Sequence, residues 1–257
     1  MEKLNLGCQL YSLREYCATP KLFHPTVDKV AEIGYKYIQY SGDNSTFEDR
    51  VEALKRTGLK CTLTHWDDKE IVENTDEVIE KHNILGCDGI GIGGLPGDMR
   101  NMEGYKLFID KYGKAIEKIG RAGKCFCYHN HWFEFERYSN GKTGMEMLLE
   151  NSDPDGFKLT LDTAWAHRAG IDCADFIRRY HDRIYALHLK DYTIKDGEIT
   201  LTEMLTGNMN FDSIISECCK YGIKNLFVEQ DFIYINAFES MKISRDNLLN
   251  KFGDILQ

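Results

Sequence analysis

Eight short runs rich in β-branched and aromatic residues recur along this chain, each separated from the next by a longer stretch of different rhythm. The runs are LNLGCQLYS, KYIQY, KCTLTHW, GIGIGG, KCFCYHN, FKLTLDT, IYALHLKD and NLFVEQD. Intervening stretches such as PTVDKVAEIG and EGYKLFIDKYGKAIEKIGRAG repeat their apolar residues at helical spacing. Gly34, Gly58, Gly86, Gly123 and Gly222 stand where such helices would stop. Strands that alternate with helices pair in parallel, and eight βα units at intervals of roughly 20 to 35 residues predict a closed (β/α)8 TIM barrel. A doubly wound open sheet usually has fewer strands. At 257 residues the chain suits one such barrel, and with only four prolines and no Pro-, Gly- or Ser-rich linker it is expected to be a single domain over 1–257. One long irregular connection is expected between about residues 191 and 210.

A closed barrel restricts where chemistry can sit, because enzymes of this fold act at the C-terminal ends of the strands. The later strands end in polar residues. The fifth runs into His129, Asn130, His131 and Glu134, and the sixth ends at Asp162. The seventh reaches His188, Lys190 and Asp191, and the eighth reaches Glu229, Gln230 and Asp231. Early strands offer Gln9, Tyr11, Tyr40, His65 and Trp66. Side chains along a strand alternate between the barrel interior and the helix layer. If the leucines and valine of LTLDT, IYALHLK and NLFVEQ meet the helices, then Asp162, His188, Lys190 and Glu229 face inward. The same rule sends Cys127, His129 and His131 inward, with small Cys127 leaving room beneath.

Glu134, Asp162, His188 and Glu229 are separated by 28, 26 and 41 residues, each interval matching one βα unit or one unit plus the long connection. Three carboxylates about 4 Å apart repel by several kcal/mol per pair even at an effective dielectric of about 20, so a cation belongs among them. Three carboxylates and one neutral imidazole form an oxygen-rich donor set suited to Mn2+ or Mg2+, with Zn2+ or Co2+ as alternatives.

Charge narrows the substrate. A net charge of −9 argues against nucleic acid, whose affinity for proteins rests on clustered Lys and Arg, and favours a neutral or polar small molecule. No apolar run approaches the roughly 20 residues of a membrane helix, and the start MEKLNLGCQLYS lacks a basic segment followed by an apolar core, so the expected location is cytoplasmic. The nine cysteines form no C-x-x-C pair and are expected to be reduced and buried.

The stretches GCQLYSLRE, EIGYKYIQ, YHNHWFEF, LDTAWAHRAG, LHLKDY and FVEQD come in the order seen in one group of proteins. Across almost its whole length the chain resembles the sugar phosphate isomerase/epimerase family of xylose isomerase-like barrels. The resemblance implies one divalent ion held by Glu134, Asp162, His188 and Glu229. Some relatives carry the first glutamate on the strand itself, where this chain has Tyr128 or His129, which leaves His129 and His131 as alternative first ligands. It further implies isomerisation or epimerisation of a ketose or related keto-sugar, by proton transfer beside a carbonyl through an enediolate. In that scheme Glu134 and Glu229 are the acid–base pair, and His131 and Lys190 assist at the reacting centre. His65, Trp66, His129, Trp132 and Trp165 bind the substrate.

The same proton abstraction serves a lyase that eliminates a β-group from a keto-inositol or keto-glycoside, and this is the nearest rival. An apurinic-site endonuclease shares the barrel, but the acidic balance and the few strand-end histidines disfavour it. A sugar-binding module would need the ligand set broken, and an assembly of identical chains is left open. GIGIGG spells a dinucleotide fingerprint, yet its glycines form the strand and Pro96 follows soon after, so no dinucleotide is expected. His24, His82, His167 and His181 are expected at the surface.

Overall fold

A computed structural model describes residues 3–257, so the first two positions of the expected domain lie outside the described residues. Eight parallel strands close into a barrel. They are β1 (Asn5–Gln9), β2 (Tyr37–Tyr40), β3 (Lys60–His65), β4 (Gly89–Ile92), β5 (Cys125–His129), β6 (Phe157–Asp162), β7 (Ile184–Leu189) and β10 (Asn225–Val228), and β10 seals the barrel between β7 and β1. Each of the eight sequence runs supplies one of them.

The alternation along the strands sorts the core into two layers. Leu159, Leu161, Leu187, Leu189, Leu226 and Val228 face outward into the main cluster shared with the helices. Leu63, Cys125, Cys127, Ala186 and Phe227 form a separate cluster inside the barrel. Phe227 fills the bottom so closely that a Cβ on Gly7 would lie 2.5 Å from its ring, which is why glycine stands there. The longest helix among the described residues, Met102–Arg121, shows how the outer layer is held. It buries Tyr105, Phe108, Tyr112, Ile116 and Ile119 at spacings of three and four, and Phe108 and Tyr112 pack on Phe126 of β5. Each such large side chain contributes roughly 1.5–3 kcal/mol through apolar burial. Four helices end on glycines with positive φ, among them Gly58 at 72° and Gly222 at 70°.

Two expectations are corrected. The connection after β7 is not irregular: β8 (Asp191–Lys195) and β9 (Glu198–Thr202) form an antiparallel hairpin in which Ile194 pairs with Ile199. Its turn is Asp196-Gly197, with φ of 52° and 83°, the sequence that a two-residue hairpin turn demands. The loop that follows is drawn in by Asp191, whose carboxylate accepts the backbone N–H groups of Tyr192, Leu205 and Gly207 at 2.8, 3.1 and 3.0 Å. His82 is buried rather than on the surface, with its ring nitrogens held by Thr64 Oγ1 at 2.8 Å and the Val78 carbonyl at 2.7 Å. All nine cysteines are free thiols, and eight are buried. Among the described residues no helix is long and apolar enough to cross a membrane.

Candidate metal centre

The parallel register brings four strand ends to one point. His129 closes β5, Asp162 closes β6, His188 lies one residue before the end of β7, and Glu229 follows β10 directly. Asp162 is the register partner of His188, and His188 is the partner of Phe227, two residues before Glu229. All four side chains are buried, and each offers a donor atom such that the four atoms lie within 4.8 Å of one another.

The hydrogen bonds around the two imidazoles fix what they present to this point. His129 Nδ1 lies 3.0 Å from the Gly93 carbonyl oxygen, and His188 Nε2 lies 2.7 Å from Gln39 Oε1, so each of these nitrogens carries the proton and donates it. In the neutral rings the opposite nitrogens are the lone-pair atoms, and they face carboxylates, with His129 Nε2 at 3.3 Å from Asp162 Oδ2 and His188 Nδ1 at 2.7 Å from Glu229 Oε2. An imidazole tied to a carbonyl oxygen at its far nitrogen is the arrangement that orients a metal ligand. Two lone pairs and two carboxylates turned on one another call for a cation, and the donor set of two imidazoles and two carboxylates fits a divalent ion. Burial, opposed by Glu229, holds His188 below the ordinary imidazole pKa. Burial also works against a charged His129, but its bond to Asp162 and the charge of Glu229 outweigh that and raise its pKa.

Lys190 enters from just beyond β7 and is fully buried. Its Nζ lies 2.7 Å from Asp162 Oδ2, 3.2 Å from Glu229 Oε2 and 2.6 Å from Asp231 Oδ2. Burial disfavours charge on all these groups. The lysine and the neighbouring imidazoles together outweigh it and hold Asp162 below the ordinary carboxylate range and Glu229 well below it. Gln9 Nε2 donates to the second oxygen of Glu229 at 3.1 Å, and the backbone N–H of Trp165 donates to the second oxygen of Asp162 at 2.9 Å.

Glu134 is not part of the cluster, and this corrects its expected place among the ligands. It sits on a single 3-10 turn, Phe133–Phe135, past the end of β5, and its carboxylate is turned into the protein. There it accepts the Tyr128 hydroxyl at 2.8 Å and the His131 N–H at 2.8 Å. Tyr128 is an outward-facing residue of β5, so this contact draws Glu134 toward the helix layer and leaves His129, the inward residue at the strand's end, in the cluster. Burial, opposed by those hydrogen bonds, pushes the Glu134 carboxyl up to about 7.

The expected substrate residues divide. His65 stacks 5.5 Å from His129 with Nδ1 2.9 Å from Ser41 Oγ, and its Nε2 is buried without a hydrogen-bond partner. Burial and the neighbouring histidines keep it well below the usual imidazole range. His131 packs 4.8 Å from His129 and 5.3 Å from Phe133, and burial lowers its pKa to about 3, so it is a neutral ring. Trp165 lies 5.0 Å from Lys190 Nζ and 4.9 Å from Trp132, which is 40 % exposed at the rim. Trp66 is set off from the cluster, its indole N–H donating to Glu70 at 2.7 Å. With His131 and Arg100 it lines a cleft of about 500 Å³ beside the β4 loop. Gln39 and Asp231 were not among the expected site residues. The inward position of Gln39 in YIQY was readable by the same alternation that marks Asp162.

Residues 27–232 match the protein family described as xylose isomerase-like TIM barrel. No curated protein matches the chain. Among solved structures the chain is similar to a sugar phosphate isomerase/epimerase from Parabacteroides distasonis ATCC 8503, with 24% identity and a TM-score of 0.77 over 99% of this chain and 96% of that one. It is also similar to the probable 3-DHS dehydratase AsbF involved in petrobactin synthesis from Bacillus anthracis, with 17% identity and a TM-score of 0.73 over 96% of this chain and 100% of that one. A third is the IOLI protein with a binding zinc atom, with 15% identity and a TM-score of 0.70 over 98% of this chain and 99% of that one. At these identities the likeness to solved structures establishes the fold.

Proposed function

The chain belongs to the xylose isomerase-like TIM barrel family, and from that premise we propose that it is a metal-dependent isomerase or epimerase of a ketose or related keto-sugar. The observation that carries the reading is the buried set of His129, Asp162, His188 and Glu229 at the C-terminal mouth of the barrel. A divalent ion bound there would supply a Lewis acid for a carbonyl and its neighbouring hydroxyl, and so favour proton loss from the adjacent carbon. Mn2+ or Mg2+ remains the preferred ion of the oxygen donors, and the two imidazoles add weight to Zn2+ or Co2+.

The residues divide the work by their environments. Glu229 is oriented by Gln9 at the mouth of the barrel and is the carboxylate placed to take a proton from carbon. Lys190 is kept charged by its three carboxylate neighbours, which suits it to stabilise a developing oxyanion through its charge. His65 and His131 are neutral rings beside the cluster and serve as hydrogen-bond partners for hydroxyls. Trp132 and Trp165 offer apolar faces to a sugar ring. Glu134 holds the His131 backbone in place and does not take the acid–base role that the family resemblance implies. The working location is the cytoplasm, and the substrate is a small sugar rather than nucleic acid.

Incubating the metal-loaded protein with a panel of keto-sugars in D2O and following the products by NMR tests this. Deuterium entering the carbon beside the carbonyl without loss of water or an aglycone supports the isomerase or epimerase. A new unsaturated product assigns the same centre to a lyase, and absence of exchange with every keto-sugar overturns the proposal.

A further inference from the structure

Lys190 and a divalent ion need the same oxygen atoms. The ammonium is 2.7 Å from Asp162 Oδ2 and 3.2 Å from Glu229 Oε2, and both residues belong to the four-residue cluster. A third carboxylate outside that cluster is also within reach, because Asp231 Oδ2 lies 2.6 Å from Nζ. Asp231 sits two residues past Glu229, beyond the end of β10, and its side chain is 19% exposed where those of Lys190 and Asp162 are fully buried. Three carboxylates around one ammonium leave two negative charges over, which is the charge one divalent ion neutralises. Both cations are therefore wanted, yet they cannot both sit between Asp162 and Glu229.

We propose that Lys190 is a built-in competitor for the metal ion, and that Asp231 is the seat that takes its ammonium when the ion is bound, so that this pair sets the affinity of the centre. The proposal rests on the metal reading above. Two consequences follow from the geometry. Removing the lysine frees two ligand oxygens and deletes a positive charge a few ångströms from the ion. Removing the Asp231 charge leaves the ammonium with only the ligand oxygens to pair with. Lys190 and Asp231 are thus positioning residues whose effects depend on each other.

The test titrates Mn2+ by calorimetry into chelator-stripped wild type, Lys190→Met, Asp231→Asn and the double variant. Lys190→Met is expected to bind about tenfold tighter or more, and Asp231→Asn about tenfold weaker or more. Most of the Asp231→Asn loss is expected to vanish once position 190 is Met. Melting temperature gives a second readout. Lys190→Met leaves buried carboxylates without a counter-charge, so its stripped form is expected to melt lower than wild type and to gain more from Mn2+. Unchanged or weaker binding by Lys190→Met overturns the proposal, and so does an Asp231→Asn loss of equal size in both backgrounds. Asp231→Asn retains the lysine and decides the matter alone if Lys190→Met does not fold, since unchanged affinity there overturns the pairing. A wild type that takes up no divalent ion overturns the metal reading itself, whereas a wild type that binds with additive variants overturns only this inference.

Discussion

Replacing Glu134 by Gln probes the account at the point where sequence and structure differ most. The carboxyl is fully buried against Tyr128 and the His131 N–H, and burial pushes its pKa from 4.5 up to about 7. At about 1.4 kcal/mol per pH unit, that displacement corresponds to about 3 kcal/mol of folding free energy. The sign follows from proton counting. Between pH 4.5 and 7 the folded protein keeps a proton that the unfolded chain releases, so the favourable contribution is full below 4.5 and is lost as pH rises through 7. Glutamine cannot ionise and carries no such dependence. Urea unfolding of wild type and Glu134→Gln from pH 4.5 to 8, taken as a difference, cancels every other titrating group. Wild type is expected to lose about 3 kcal/mol relative to the variant across that range. A flat difference curve refutes the claim that a buried, proton-holding carboxyl sits at this position.

Three further changes separate roles around the centre. Glu229→Gln keeps the size of the side chain but removes the base, and turnover of a responsive keto-sugar is expected to fall about 100-fold or more in steady-state assays. Gly94 has φ of 143°, and a Cβ there would lie 2.8 Å from His131 Cε1, so Gly94→Ala is expected to displace that ring. Its turnover should drop about tenfold or more while elemental analysis finds the ion retained. Asp191→Ala orphans the N–H groups of Tyr192, Leu205 and Gly207, and is expected to cost about 2–3 kcal/mol in chemical denaturation.

The barrel was legible because its signals are local. Each strand is a short run of suitable residues, and period-two alternation told outward leucines from inward polar residues. Asp162, His188 and Glu229 follow from that alternation because they lie on their strands or directly after them. Glu134 lies off its strand, so alternation does not reach it, and its direction is set by a tertiary contact with Tyr128 that no local pattern encodes. Alternation turned His129 inward at the end of β5, whereas the interval of 28 residues to Asp162 favoured Glu134. Asp196-Gly197 between alternating threonines and isoleucines is a readable hairpin signal, but the hairpin lies outside the eightfold βα repeat that marks the barrel strands. Asp231 was visible as a strand-end residue, yet its bond to Lys190 depends on how far a four-carbon side chain reaches across the barrel.

His129 stands in the buried cluster with Asp162, His188 and Glu229, and Glu134 does not, so the two residues should differ in their hold on an ion. Elemental analysis of purified wild type, His129→Ala, Asp162→Ala and Glu134→Gln, each equilibrated with the same divalent ion and desalted, tests it most directly. About one ion per chain is expected in wild type and in Glu134→Gln, and loss of that ion in His129→Ala and Asp162→Ala, with all four barrels folded by circular dichroism. An ion retained by His129→Ala and lost from Glu134→Gln would contradict it.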